Sequence, residues 1–567
     1  MPASRRRRPS HLAPLSRRQV LALGGASAAT LLLTRCAGLS GRPSRSGGAP
    51  LNLPYGPIDR TLGEVAPTTF SGEEPEPAHR LLWDRESFLG SAPPAGDPEQ
   101  VPLVIVGGGI AGLTTAWLLR AHRPVLLERA PRFGGASRGE SWRGIDYATG
   151  AAYFIRPEER TPIARFLEEL DLSPRIKTEE DPVVLGGRRF DHFWEGASTP
   201  AGAAQIRRLG RYFQAVLEEE EGQLFPDIPV TDSARRAHVD DLDRRSFLDH
   251  LQGVAGGPLH PHAAAVIEHY CWSSLGASMA EVSAAAGLNF YASEFGEVCV
   301  LPGGNAAVAE RLVDRLATGL PPGHLRPGCL AVDVQVVDEG VRIRYADQQG
   351  RLHTLLARAA VLACPKFVAG KILREAEASR LAAIARLRYR AYLVANVLLG
   401  RSVRHDFYDL FLAGEGTAPY ADLEAAAARQ GATDVVLGTW ARPQRERTVL
   451  TLYRPLPFDG GRAAVYDEDS HAGYRAQFAA QLEREILPLV GARPADVVDL
   501  RLARWGHPLP VAEVGLIADG VPEALGAPFR GRVFFAQQDT WALPAFETAV
   551  TEALLTAPRV ARVLEGG

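Results

Sequence analysis

The chain has 567 residues, and its 63 basic against 66 acidic side chains give a formal net charge of -3. A composition of 46% hydrophobic and 23% charged residues excludes a mostly disordered chain, and near-neutrality gives no electrostatic case for nucleic acid as a partner. Five cysteines (Cys36, Cys271, Cys299, Cys329, Cys364) are too few and too scattered for a disulfide scaffold; none forms a CxxC pair, so no metal site is expected.

Residues 1–36 read as an address. Arg5 to Arg8 and the pair Arg17-Arg18 precede an apolar run from Leu21 to Leu33, too short for the ~20 residues of a membrane span. Basic residues before a short apolar stretch mark an export signal, and paired arginines mark its twin-arginine variety. The expected destination is the periplasm. Leu33-Thr34-Arg35-Cys36 looks partly like a lipoprotein cleavage box, with Arg35 where a small residue belongs, so membrane association through an acylated Cys36 is the lesser expectation. Residues 37–100, rich in Pro, Gly and Ser, read as a linker that partly wraps the domain surface.

The chemistry begins at Pro102 to Val106, an apolar run of strand length that leads into Gly107-Gly108-Gly109-Ile110-Ala111-Gly112 and a helical pattern from Leu113 to Ala121. Gly107 permits a tight turn, Gly109 lets backbone approach a pyrophosphate, and Gly112 lets the helix lie close to the strand. The helix start, with Ile110 and Ala111, offers free N–H groups to phosphate. A second apolar run, Val125 to Leu127, ends in Glu128, whose carboxylate is placed to accept ribose hydroxyls. Strand, glycines, helix, strand and terminal acid in this order predict a dinucleotide site.

The chain continues Glu128-Arg129-Ala130-Pro131-Arg132-Phe133-Gly134-Gly135-Ala136-Ser137. This run closely resembles the signature of the flavin-containing amine oxidase superfamily, which includes phytoene-desaturase-like and protoporphyrinogen-oxidase-like enzymes. The resemblance implies noncovalent FAD rather than NAD, with Arg132, Gly134 and Gly135 carrying the chain past the pyrophosphate and Arg129, Ala136 and Ser137 beside them as further candidate cofactor contacts. Later segments extend it. Gly144 to Ala151 is similar to the family's second glycine-bearing strand, and Pro302-Gly303-Gly304-Asn305 to its second helix start, with Asn305 as N-cap. Alternation from Ala331 to Tyr345 and on to Pro365 reads as a β-meander; the resemblance puts the backbone near Ala331 at the adenine. Arg532 to Asp539 and Phe546 to Val550 are similar to the closing motif, implying that Asp539 reaches the ribityl–pyrophosphate region. The backbone at Phe546 and Glu547 would then face the flavin.

Departures from the family pattern are specific, and the loss of its lysine points away from a standard amine oxidase toward a desaturase-like or otherwise unusual flavoenzyme. Ala136 stands where arginine is usual, with Arg138 the nearest substitute; Gln537 and Thr548 replace glycines; and Val394 takes the place of the lysine that many amine oxidases hold near the flavin. Trp541 and Phe546 are candidates for the ring face. His262, His269, Tyr270 and His507 form no spaced constellation, so no catalytic side chain is singled out.

The expected fold is α/β, a Rossmann-like FAD-binding domain with an interleaved α+β cap. Its expected parts are 101–160, 291–371 and 526–567 for the cofactor and 161–290 and 372–525 for the substrate. The resemblance implies an exported FAD-dependent oxidoreductase that passes a hydride from a small organic or lipid-like substrate to the flavin, then electrons to oxygen or a quinone. The alternatives are a flavin-dependent isomerase with no net redox change and a non-catalytic FAD-containing surface protein.

Overall fold

The computed structural model describes residues 61–63, 67–218, 224–414, 431–456 and 460–566. The expected signal region 1–36, with Cys36, and residues 37–60 of the expected linker lie outside the described residues.

The fold is mixed α/β, with a Rossmann-like sheet at the expected place. Its parallel strands run in the order Leu325–Pro327, Val125–Glu128, Glu99–Val106, Leu352–Leu362 and Val533–Phe535. Three separate stretches of chain therefore build one sheet. Pleating sends alternate side chains to opposite faces. Leu103 and Ile105 meet the core under the helices Ile110–Leu118, Ala306–Gly319 and Phe546–Glu565, while Val104 and Val106 meet the core under the meander. The meander forms as read, from Leu330–Val337, Gly340–Ala346 and the start of Leu352–Leu362.

The other large sheet has eight strands in the order Ser71–Gly72, Val497–Pro510, Tyr389–Leu399, Thr448–Leu456, Asp434–Leu437, Phe411–Leu412, Val183–Leu185 and Arg188–Phe190. Every residue of Tyr389–Leu399 is buried. Its pleat turns Leu393, Ala395 and Val397 into one core, and Tyr392 and Val394 toward Trp505 on the neighbouring strand. Helices Ala203–Glu218, Ser233–Asp243, Phe247–Ala255, Pro261–Tyr270 and Ala284–Ser293 fill the helical stretch foreseen between about 161 and 290.

Within the expected linker, Ser71–Gly72 pairs with Ala503–Arg504, and two short helices, Glu76–Trp83 and Arg85–Ser91, follow. Leu81, Leu82, Phe88 and Leu89 supply the apolar face that docks this segment on Leu330 and Val332. Asn305 does not cap its helix through its side chain. Its backbone is already helical, and its Nδ2 donates to the Tyr153 carbonyl at 2.8 Å.

Candidate functional site

The glycine-rich turn leaves the Glu99–Val106 strand at Gly107, whose φ of +111° only glycine adopts readily. A Cβ at Gly107 would lie 2.5 Å from the Ala363 carbonyl, and one at Gly112 would lie 1.8 Å from the Gly107 carbonyl. Both positions are closed by backbone. Gly109 differs: the nearest atom to a Cβ there is 3.8 Å away, so its open side faces space rather than protein. The amides of Ile110 and Ala111 follow at the start of a nine-residue helix that has no side-chain cap. Uncapped N–H groups with a partial positive charge suit an anionic ligand.

Glu128 ends the next strand almost fully buried. Its Oε2 accepts from the Gly108 N–H and its Oε1 from the Ala130 N–H, both at 2.7 Å. A carboxylate offers about four acceptor positions, so this fixed carboxylate retains capacity for two further donors.

These groups line one cavity of about 1230 Å³. Of the residues inferred from sequence, Gly107, Gly109, Ile110, Ala111, Glu128 and Arg129 line it at one end. Gly134, Gly135, Ala136, Ser137 and Ala331 also line it, as do Phe546 and Glu547 farther along. Arg138 does too, its Nε donating to the Gly135 carbonyl at 3.1 Å and its guanidinium lying 5.1 Å from the Trp505 ring; burial and the nearby Arg132 push its pKa down to about 10.

Three residues are placed elsewhere. Gly112 packs the helix against the turn and does not reach the cavity wall. Arg132 is not on the wall either, and its Nη1 turns to the Gly139 carbonyl at 3.4 Å. Asp539 faces away from the cavity. After the short Val533–Phe535 strand, the turn Gln538–Thr540 points Asp539 into the protein, where its Oδ1 meets the Lys366 Nζ at 2.9 Å. Its Oδ2 accepts from the Lys366 N–H at 2.6 Å and the Tyr389 hydroxyl at 2.7 Å. Gln537 and Gln538 line the cavity instead. Gln537 folds its Oε1 onto the Asp539 N–H at 2.7 Å, which accommodates a side chain in a glycine's place.

The cavity continues into a chamber of which sequence reasoning singled out Val394 and the Trp505 strand but none of the carboxyl side chains. Tyr392 and Val394 line it from one strand, Trp505 and Tyr453 from neighbouring strands, and Tyr153, Phe225 and Phe290 from other segments. Ser273 links two of its polar groups: its Oγ lies 3.0 Å from the Tyr392 hydroxyl and donates to Asp434 Oδ1 at 2.7 Å. Burial pushes Asp434 up to about 7 against the hydrogen bonds from Thr433 and Ser273. Burial also raises Glu294, and it pushes Glu547 up to about 7, although Glu547 Oε1 accepts the Ile155 N–H at 2.5 Å. The chamber thus carries three carboxyl groups whose pKa burial raises, Asp434 and Glu547 to about 7. His507 also reaches the cavity, and burial pushes it down to about 4, so it is neutral at pH 7. Trp541 turns away and donates to Glu552 Oε1 at 2.9 Å; His262 and His269 are likewise off the cavity wall.

The cavity suits a dinucleotide. It has open backbone at Gly109, helix-tip amides, and a fixed carboxylate at the expected distance along the chain. Thr548 Oγ1 and Asn305 Oδ1, both on cavity-lining residues, are buried without a hydrogen-bond partner, as expected where a polar ligand completes the site.

Comparison with known proteins agrees with this geometry. Residues 105–170 match the NAD(P)-binding Rossmann-like domain family. Oxidoreductase PigB of Serratia sp. (strain ATCC 39006) is 24% identical over 518 residues, spanning 81% of this chain and 74% of that protein. All-trans-retinol 13,14-reductase of Homo sapiens is 31% identical over 134 residues, 22% of each chain. The structure of a putrescine oxidase redesigned in its cofactor binding superposes with a TM-score of 0.61 at 18% identity, over 82% of this chain and 100% of that one. The chain has the amine-oxidase-like fold that its sequence resemblance implied.

Proposed function

We propose that this chain is an exported FAD-dependent oxidoreductase acting on a compact organic substrate that carries a basic or hydrogen-bonding nitrogen. The observation that carries the reading is the single cavity joining the glycine turn and Glu128 to the chamber of aromatic and carboxyl side chains. When bound, FAD supplies a two-electron acceptor able to take hydride from a C–H bond.

The protein's part is to hold and to exclude. The Ile110 and Ala111 amides would hold the phosphates, Glu128 the ribose hydroxyls, and the backbone around Ala331 the adenine. Apolar walls from Val394, Trp505 and Phe290 keep water from the reacting bond. Asp434, Glu294 and Glu547 favour a substrate that brings hydrogen-bond donors or positive charge, because such a partner offsets the cost of burying carboxylates. Amine-bearing molecules meet that description better than long polyenes do. Oxygen or a quinone would then take the electrons.

Purified protein should be yellow, or become so with added FAD, and anaerobic mixing with a panel of amines should bleach the flavin band. Turnover without net bleaching indicates the isomerase; inertness to every substrate indicates a structural cofactor. A colourless protein that takes up no FAD refutes the reading altogether. Export rests on the sequence of residues 1–36. Replacing Arg17 and Arg18 by lysine should leave the protein in the cytoplasm, and undisturbed periplasmic accumulation refutes the twin-arginine route.

A further inference from the structure

A second cavity of about 170 Å³ lies behind the chamber wall. Its mouth is formed by Thr178, Glu179 and Glu180, all exposed, and its inner end includes Tyr270 and Glu294. Glu294 is the one described residue that lines both cavities. Its Oε1 accepts from the Tyr153 hydroxyl at 2.9 Å and from the Tyr270 hydroxyl at 2.9 Å. Tyr153 lines the large cavity and Tyr270 the small one. A carboxyl group flanked by two phenols therefore runs through the partition, from chamber to a solvent-facing vestibule.

We propose that Tyr153, Glu294 and Tyr270 form the path by which protons pass between the substrate chamber and solvent, with Glu294 as its ionisable centre. The inference rests on the oxidoreductase reading and goes beyond it. Oxidising an H–C–X–H unit to C=X breaks two bonds. The C–H pair leaves as hydride to the flavin, and the X–H electrons become the second bond of C=X. The X–H proton remains, and the chamber has to discharge it. Tyr153 can take that proton as it gives its own to Glu294, and the protonated Glu294 then loses one outward on the Tyr270 side.

The other chamber carboxyls are worse placed. Asp434 is held by Ser273 and Thr433, Glu547 by the Ile155 amide, and neither borders the small cavity. The surroundings of Glu294 suit transit. Burial raises its pKa, the Lys177 ammonium opposes that, and Asp181 reinforces it. Asp181, paired with Lys177, lines the small cavity and gives the outgoing proton its next carboxylate. Asp409, Asp434 and Glu547 also feel the charge on Glu294, and Tyr153 and Tyr270 are held protonated by burial beside it, so the group answers to all of these.

The test needs no knowledge of the substrate. FAD-loaded protein is photoreduced anaerobically with EDTA and a deazaflavin, while an indicator dye follows proton uptake and infrared difference spectra follow carboxyl groups. The wild type should show a protonated-carboxyl band that changes on reduction and shifts in D2O. Glu294→Gln, which keeps the acceptor oxygen but cannot ionise, should lose that band and slow proton uptake roughly 100-fold, with Glu294→Asp recovering part of the rate. Normal FAD binding with unaltered uptake in Glu294→Gln overturns the path alone. Failure of the wild type to bind FAD overturns the oxidoreductase reading and the path with it. Should Glu294→Gln not fold, the wild-type spectrum decides: absence of a redox-linked carboxyl band overturns the path.

Discussion

The buried pair Lys366–Asp539 offers the sharpest energetic test, because sequence assigned Asp539 to the cofactor and the structure assigns it to the protein. Both side chains are 1% exposed, and Asp539 takes three donors: the Lys366 ammonium at 2.9 Å, the Lys366 N–H at 2.6 Å and the Tyr389 hydroxyl at 2.7 Å. Removing one partner of a buried ion pair costs about 3–5 kcal/mol, because the other charge stays buried without compensation. Each further orphaned donor costs about 1–3 kcal/mol before relaxation or entering water offsets it. Asp539→Ala should therefore destabilise the fold by about 4–6 kcal/mol, and Tyr389→Phe by only about 1–2 kcal/mol, since the ion pair survives. Replacing both charges with apolar groups of similar size (Lys366→Met with Asp539→Leu) leaves no orphaned charge but still strands the residue-366 N–H and the Tyr389 hydroxyl, so it should recover only the ion-pair part of the loss, about 3 kcal/mol relative to Asp539→Ala. Urea unfolding of the cofactor-free chain is the assay, because bound cofactor adds its own binding energy to the apparent stability. A loss below about 1 kcal/mol in Asp539→Ala, or a double variant as unstable as the single, would refute the assignment. A secondary effect is expected on FAD: the Asp539 N–H anchors Gln537 at 2.7 Å, so loosening this turn should weaken cofactor retention.

Three further outcomes follow from the same geometry. Gly109→Ala, whose new methyl group meets open space in the protein, should fold normally yet lose FAD, whereas Gly112→Ala collides with the Gly107 carbonyl and should lose both; thermal melts with and without FAD separate the two. Glu128→Ala removes the acceptor for the Gly108 and Ala130 amides as well as for the ribose, and equilibrium titration should show FAD bound about two orders of magnitude more weakly. Glu268 is fully buried, and its pKa rises from 4.5 to about 7, with burial outweighing the hydrogen bonds from Met279, Ser278 and Trp272. A folded pKa above the unfolded one means that the stabilisation is complete below pH 4.5 and is lost as pH rises through about 7. Wild type should lose about 3 kcal/mol over that window relative to Glu268→Gln, measured by urea unfolding at stepped pH; parallel curves would show that Glu268 does not titrate there.

What sequence reveals depends on whether the information is local. The glycine turn was legible because its requirements belong to single positions: a positive φ at Gly107, no room beside Gly112, open space at Gly109. Glu128 was legible because a strand end fixes its place relative to that turn. In the closing motif one residue separates wall from interior, since the turn Gln538–Thr540 presents Gln538 to the cavity and buries Asp539 behind it. Choosing the acid over its neighbour weighed side-chain chemistry where turn geometry decides. The chamber's polar groups gave no local signal, although the strand carrying Val394 did. Ser273 meets Tyr392 across 119 residues and Asp434 across 161, and their chemistry emerges only when the helical insert and the eight-stranded sheet are packed together. Cofactor sites of this kind are written in backbone and so survive in short motifs. The chamber's polar groups are brought together by side chains from distant segments, and that is why a sequence can disclose a dinucleotide turn while concealing the carboxyl groups of the adjoining chamber.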